Sequence, residues 1–111
     1  MLFRSAQLLV ADVTKQKDVE TLVAEVGPRI DILANVAGIM DHFLPLGEMD
    51  DATWNHVMDV NLTGPMRLSR AVLPVMLATG GGAIVTVASK ASVGAGASGT
   101  AYATSKHGLS G

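Results

Sequence analysis

The sequence predicts an α/β protein built on a parallel sheet. Two observations carry that prediction. Short apolar, β-branched runs alternate along the chain with longer stretches of helical periodicity, and this alternation implies parallel strands joined by helical crossovers. Polar residues then stand at the carboxyl ends of three of those runs, at Asp12, Asn35 and Ser89. In such sheets ligands bind at the carboxyl ends of the strands.

The elements follow in order. Residues 7–11 are a short apolar run, read as a strand that Asp12, Val13 and Thr14 close. In residues 16–26, Val19, Leu22, Val23 and Val26 recur at i, i+3, i+4 and i+7, the pattern of an amphipathic helix. Gly27 and Pro28 stop it. Residues 30–34 read as the second strand. Residues 39–50 form a loop containing Pro45 and Gly47, and Asp50 or Asp51 can cap the long helix that follows. Its apolar positions include Trp54, Val57, Met58, Leu62, Met66, Leu68, Val72, Leu73 and Met76.

Pro65 interrupts the bonding of that helix. A helical proline lacks the N–H that would bond the carbonyl four residues back, here that of Asn61. With Gly64 beside it, a local irregularity with a free acceptor at Asn61 is expected. Pro74 should loosen the helix again at Arg70, and Gly80, Gly81 and Gly82 end it. Residues 83–88 are apolar and β-branched and read as a buried strand. Gly94, Gly96 and Gly99 make a loop, after which Thr100 or Ser98 is available to cap a helix starting near Ala101.

The composition narrows the class. A chain of 111 residues, 49% hydrophobic and 16% charged with a formal net charge of −2, is one small core-forming domain. Nothing in it attracts nucleic acid or an anionic membrane. It has no cysteine, which excludes disulfides and thiolate chemistry and fits a cytoplasmic protein. Arg4 and Asp12 interrupt the apolar N-terminal residues, so no signal peptide is read. Residues 71–89 carry no charge, but Pro74 and the three glycines divide them into two elements too short to span a bilayer. His42, His56 and His107 show no metal-ligand spacing, so no metal is expected.

The chemistry concentrates between Ser89 and Lys106. Tyr102 and Lys106 are four residues apart, which puts them on one helix face. An isolated tyrosine is a poor base at pH 7, because its hydroxyl ionises near ~10. A lysine ammonium about 4 Å away, at an effective dielectric of about 20, supplies on the order of 4 kcal/mol, the size of the change required. The pair therefore suits general acid/base work, with Ser89 able to hold an oxygen beside it. Alone, Tyr-x-x-x-Lys usually means a half-buried tyrosine and a solvated lysine. The strand-end serine, the glycine loop and the preceding elements favour the catalytic reading.

Asp12-Val13, Asn35-Val36-Ala37-Gly38, Asn61, Ser89 and Tyr102-Ala103-Thr104-Ser105-Lys106 occur in the order and spacing of one family. With them the chain resembles the short-chain dehydrogenase/reductases over essentially its whole length. The resemblance implies a partial Rossmann-type, doubly wound parallel sheet, holding the strands that match the third, fourth and fifth of the family. It also implies an NAD- or NADP-dependent oxidoreductase that interconverts a small-molecule carbonyl and a secondary alcohol. By the same resemblance, Tyr102 exchanges the hydroxyl proton, Lys106 lowers the tyrosine pKa and bonds the nicotinamide ribose, Ser89 polarises the substrate oxygen, and Asn61 holds a relay water. Asp12 and Val13 contact the adenine ring, while Asn35, Ala37 and Gly38 line the cofactor. Val36 replaces a common second asparagine, and Thr86 stands where the family often has asparagine. Family members commonly pair through helices matching 51–78 and 101–111, so a homo-oligomer is expected.

Three motifs are decoys. Gly94 to Gly99 matches G-x-G-x-x-G literally, but it does not open a helix after the first strand, as a dinucleotide loop does. Asn61-Leu62-Thr63 is a glycosylation sequon inside a predicted helix. There is no G-x-S-x-G elbow, which weighs against a serine hydrolase.

The resemblance also predicts what a whole family member adds: a first strand, a glycine-rich turn, a helix and a second strand before this segment, and substrate-covering segments after it. Residues 1–111 are therefore expected to be one incomplete domain, marginally stable and inactive when isolated, with Met1 suggesting a truncated gene model or a mis-called start. In the order 3-2-1-4-5-6, strands 1 and 2 would lie between residues 7–11 and the next strand, so residues 7–11 should lack partners. The alternative reading is a non-catalytic assembly subunit of the same fold.

Overall fold

The computed structural model describes residues 5–94, 96 and 98–111. Helix α1 (Gln16–Val26) leads into strand β1 (Ile32–Asn35), and α2 (Asp51–Met58) continues through a π-helical turn (Asp59–Thr63) into α3 (Gly64–Ala78). Strand β2 (Ala83–Thr86) and helix α4 (Thr100–Ser110) complete the chain. Single 3₁₀ turns cover Leu46–Glu48 and Lys90–Ser92.

The two strands pair in parallel, with Ile32 opposite Ala83 and Asn35 opposite Thr86. Val87 extends the ladder by donating its N–H to the Asn35 carbonyl at 2.9 Å. The crossover between them is the α2–α3 rod, as the alternation of elements requires. Helix α1 lies beside α3, and α4 packs on α2 and the π turn. Ile30, Val72 and Met76 form the buried cluster under the sheet, with Val23, Leu33 and Val75 against it. Val19 is fully buried and Leu22 and Val23 partly so, whereas Val26, at the end of the apolar stripe, is 52% exposed.

Several expectations need correction. Residues 7–11 are not a strand, and Leu8 and Val10 are 90% and 96% exposed. A strand needs a neighbour for its N–H and C=O groups, and among the described residues none lies beside this one. The second strand begins at Ile32 rather than residue 30, and the third ends at Thr86 rather than residue 88. The third strand is not buried, because every residue of β2 is exposed. Strand β2 has β1 as its neighbour on one edge, and α3 packs against β1 rather than against it, so both faces of β2 are left to solvent. Ser98 and Thr100 do not cap α4; Gly99 occupies that position without a side-chain bond. Pro74 lies inside α3, which runs on through it to Ala78.

Other expectations hold. Asp50 caps α2, accepting the Thr53 N–H at 2.7 Å and the Thr53 hydroxyl at 2.8 Å. The irregularity near Asn61 is the π turn, in which Gly64 N–H bonds the Asp59 carbonyl five residues back. Gly80 and Gly81 end α3 with φ of 96° and 120°, values open to glycine but costly to other residues. In the glycine loop before α4, Ala95 and Ala97 lie outside the described residues, as do residues 1–4 ahead of the first predicted run.

Candidate active site

The site forms where the segment after β1, the π turn and α4 converge. Asn61 is fully buried in the π turn. Its Oδ1 accepts the Ile39 N–H at 2.8 Å and its Nδ2 donates to the Ile39 carbonyl at 2.9 Å. The same Nδ2 donates to Ser105 Oγ at 3.1 Å, and that hydroxyl donates to the Tyr102 carbonyl at 2.8 Å. One asparagine thus ties the loop after β1 to the helix bearing the tyrosine. A π turn suits this task, because its extra residue rotates a side chain off the regular helical face.

Helix α4 places Tyr102 and Lys106 on one side, with the lysine Nζ 5.7 Å from the tyrosine ring centroid. At that separation the ammonium interacts with the ring face. Lys106 is 4% exposed. Among the described residues its ammonium donates to the Val87 carbonyl, at 3.3 Å. A Cβ built on Gly38 would lie 3.5 Å from Asn61 Oδ1 and 3.6 Å from Lys106 Nζ. Gly38, Asn61 and Lys106 are therefore one cluster.

Ser89 follows β2. Its Oγ accepts the Ala91 N–H at 3.1 Å, and its own N–H donates to Ser92 Oγ at 3.2 Å. This reciprocal pair caps the Lys90–Ser92 turn. A hydroxyl that accepts one bond still has its proton to donate, so Ser89 remains able to bond a further oxygen.

The remaining predicted residues lie at and just after the end of β1 and in the segment before α1. Val13, Asn35 and Ala37 line a cavity of about 60 Å³ with Pro65 and Leu68. Asn35 Nδ2 donates to Ser69 Oγ at 3.3 Å and Thr86 Oγ1 at 3.4 Å, so the threonine supplies the support that its replacement of asparagine placed in question. Asn35 Oδ1 is buried without a partner among the described residues. Asp12 does not join the cluster. Its Oδ1 accepts from the Thr14 hydroxyl at 2.7 Å and the Thr14 N–H at 2.9 Å. Those two bonds, the hydroxyl first, hold its carboxyl below the ordinary aspartate value.

Four contributors were not legible in the sequence. Arg67 Nη1 bonds both the Val13 carbonyl at 3.1 Å and Asp59 Oδ1 at 2.6 Å, which anchors the Asp12–Val13 corner to the π turn. Ser69 supports Asn35, and Ser105 relays from Asn61 to Tyr102. Asp41, fully buried, accepts the Tyr102 N–H at 2.8 Å on Oδ2. Ser105 lies inside the Tyr-to-Lys motif, so its burial could be suspected from spacing. The other three act on partners 34 to 61 residues distant or through backbone atoms, and side-chain pattern carries no such signal.

This geometry defines a partial α/β domain of Rossmann type with a tyrosine–lysine pair at one end of its parallel sheet. A family description reading short chain dehydrogenase matches residues 3–111, and the chain belongs to that family. It is similar to the short-chain dehydrogenase/reductase cdmF of Talaromyces verruculosus, with 47% identity over 103 residues, 93% of this chain and 40% of that protein. It is also similar to the asnovolin H dehydrogenase nvfC of Aspergillus novofumigatus, at 44% identity over 88% of this chain and 38% of that protein. Among solved structures, that of gox2181 superposes with a TM-score of 0.84 at 33% identity over 91% of this chain and 41% of its own. A metagenomic short-chain oxidoreductase in complex with NADP gives 0.83 at 34% identity, over 90% of this chain and 47% of its own. The chain spans about 40% of the length of the curated relatives it matches. No helix among the described residues is long and apolar enough to cross a membrane.

Proposed function

We propose that this chain carries the acid/base half of an NAD- or NADP-dependent oxidoreductase that interconverts a carbonyl and a secondary alcohol. The observation that carries the reading is the buried Lys106 ammonium facing the Tyr102 ring, with Asn61 and Gly38 around it. A buried ammonium needs partners for its protons. One is met by Val87, and the other two suit the hydroxyls of a ribose.

The residues present fit a nicotinamide cofactor on this structure's own terms. Asn35 Oδ1 is a buried acceptor awaiting a donor, and the exposed Val36–Gly38 turn beside it leaves backbone open to a ligand. Val13, Asn35, Ala37, Gly38 and Lys106 would hold the cofactor, with Asp12 shaping the corner at Val13. When bound, it supplies or accepts the hydride. Tyr102 gives or takes the proton of the substrate hydroxyl. Ser89 donates a hydrogen bond to the substrate oxygen. The Lys106 charge favours the tyrosinate, and the π turn at Asn61 offers the site of a relay water. The solved NADP complex and the NADPH complex of actinorhodin polyketide ketoreductase, similar at a TM-score of 0.81 and 35% identity, support a nicotinamide without choosing between its two forms. The exposed Met66, Leu73 and Leu77 of α3 support self-association through the α2–α3 rod and α4.

The test is a thermal unfolding scan of the 111-residue chain with and without NADH and NADPH. Only binding to the native state raises the melting temperature, so a rise with one of them is expected and names the cofactor. A melt indifferent to both, with a stable oligomer by sedimentation, would overturn this reading in favour of a non-catalytic assembly role.

A further inference from the structure

The acid/base reading relies on α4 standing still at its first turn, and that turn lacks a local cap. Gly99 at the cap position makes no side-chain bond. The first N–H groups of a helix have no partner within it. In α4 they are served from a segment some sixty residues earlier. Asp41 Oδ2 accepts the Tyr102 N–H at 2.8 Å, and the Thr100 N–H donates to the Leu44 carbonyl at 3.0 Å.

The segment that supplies these partners is itself held by the same carboxylate. Asp41 Oδ1 accepts the Phe43 N–H at 3.1 Å, and the Leu44 N–H donates to the Asp41 carbonyl at 3.3 Å. His42 and Phe43 both have φ of 57°, a left-handed conformation unusual for side-chain-bearing residues. Two such residues in succession persist only where the surroundings over-determine them. The approach is also too close for any side chain at residue 99. A Cβ there would lie 2.5 Å from Asp41 Oδ2 and 2.6 Å from the Leu44 nitrogen.

Asp41 is fully buried. Among the described residues its carboxylate pairs with no cation. A buried carboxylate satisfied by backbone N–H groups at a helix start gains from the helix dipole. It sits two positions after Ile39, which Asn61 clasps. Residues 39–44 are thus pinned to the π turn at one end and to α4 at the other.

We propose that Asp41 is a positioning residue. Its carboxylate locks the first turn of α4 to the strap 39–44 and so fixes where the Tyr102 hydroxyl stands relative to Lys106. The proposal rests on the acid/base reading for its purpose, but its test does not require nicotinamide. Tyr102 is the only tyrosine of the chain, so a tyrosine-labelled sample gives one ring signal in NMR. The Val19 methyl groups, buried in α1, report whether the rest of the fold persists.

In the unmodified chain the Tyr102 amide should be protected from hydrogen exchange although it is the third of its helix. In Asp41→Ala its exchange should quicken at least about tenfold, the effect of losing a single charge-assisted bond. The Tyr102 ring signal should move or double while the Val19 signals stay. Asp41→Asn has one acceptor oxygen where Asp41 has two. It should therefore keep the fold and lose protection at Tyr102 or Phe43 but not both, which decides the matter if Asp41→Ala unfolds. An unprotected Tyr102 amide in the unmodified chain would overturn the proposal, as would variants that leave the amide and ring signals unchanged or move the Val19 signals equally. A cofactor-indifferent melt and a stable oligomer, with these NMR outcomes intact, would sink the oxidoreductase reading and leave the clasp standing.

Discussion

Asn61 and Ile39 form a closed pair: the asparagine side chain accepts the isoleucine N–H at 2.8 Å and donates to its carbonyl at 2.9 Å. The side chain completes with Ile39 the two bonds that a neighbouring strand would make. It therefore fixes the loop after β1 where no third strand does so among the described residues.

Asn61→Leu keeps the volume and removes both bonds, together with the one to Ser105 Oγ. The Ile39 N–H and C=O are then left without these partners, at about 1–3 kcal/mol each. The expected loss is on the order of 3 kcal/mol in urea unfolding. A loss below about 1 kcal/mol would show that water replaces the asparagine.

Gly64 accepts no side chain while Val13 stands over it. A Cβ there would lie 2.9 Å from Val13 Cγ2 and 3.1 Å from Val13 Cβ, and a β-branched side chain has little freedom to turn aside. Gly64→Ala should cost about 1–3 kcal/mol. Adding Val13→Ala should recover most of it, and thermal unfolding of the single and double variants measures the coupling.

Arg67 spans the Val13 carbonyl and Asp59 with one nitrogen, and its side chain is 18% exposed. Arg67→Met should cost about 1.5–3 kcal/mol, the range for hydrogen bonds to charged groups. Asp59→Asn should cost less, because Asp59 is more exposed and the Val13 bond survives. Equal losses by urea titration would assign the whole effect to the ion pair.

Asp50 caps α2 as a carboxylate. The Thr53 N–H and then the Thr53 hydroxyl hold its pKa below the ordinary aspartate value. A carboxyl lowered in the folded state stabilises above its unfolded pKa, and that stabilisation is lost as pH falls through the folded value. The contribution of its charge should therefore be constant at neutral pH, begin to fall below about pH 4 and be lost only as pH passes below the folded value. Asp50→Ala should lower the melting temperature more at pH 7 than at pH 2.5.

In a chimera in which this chain replaces the matching segment of a full-length relative, Tyr102→Phe should reduce turnover at least about 10²-fold, the usual weight of a general acid. Cofactor affinity should hold. Undiminished turnover would remove Tyr102 from the proton-transfer role.

The sequence by itself determined the alternation of helices and strands, a cap at Asp50 or Asp51, the break at Asn61 and the Tyr102–Lys106 face. Each of these is written in residues close to one another, through periodicity, capping chemistry or a missing N–H. Tertiary structure decided the rest. Residues 7–11 have the composition of a strand and are not one, and β2 has the composition of a buried strand and is exposed, because pairing and burial depend on neighbours that no local pattern specifies. Asp41, Ser69 and Arg67 join the site through bonds spanning 34 to 61 residues. Two of the three end on backbone atoms, which every residue carries alike, so only the folded chain could single them out.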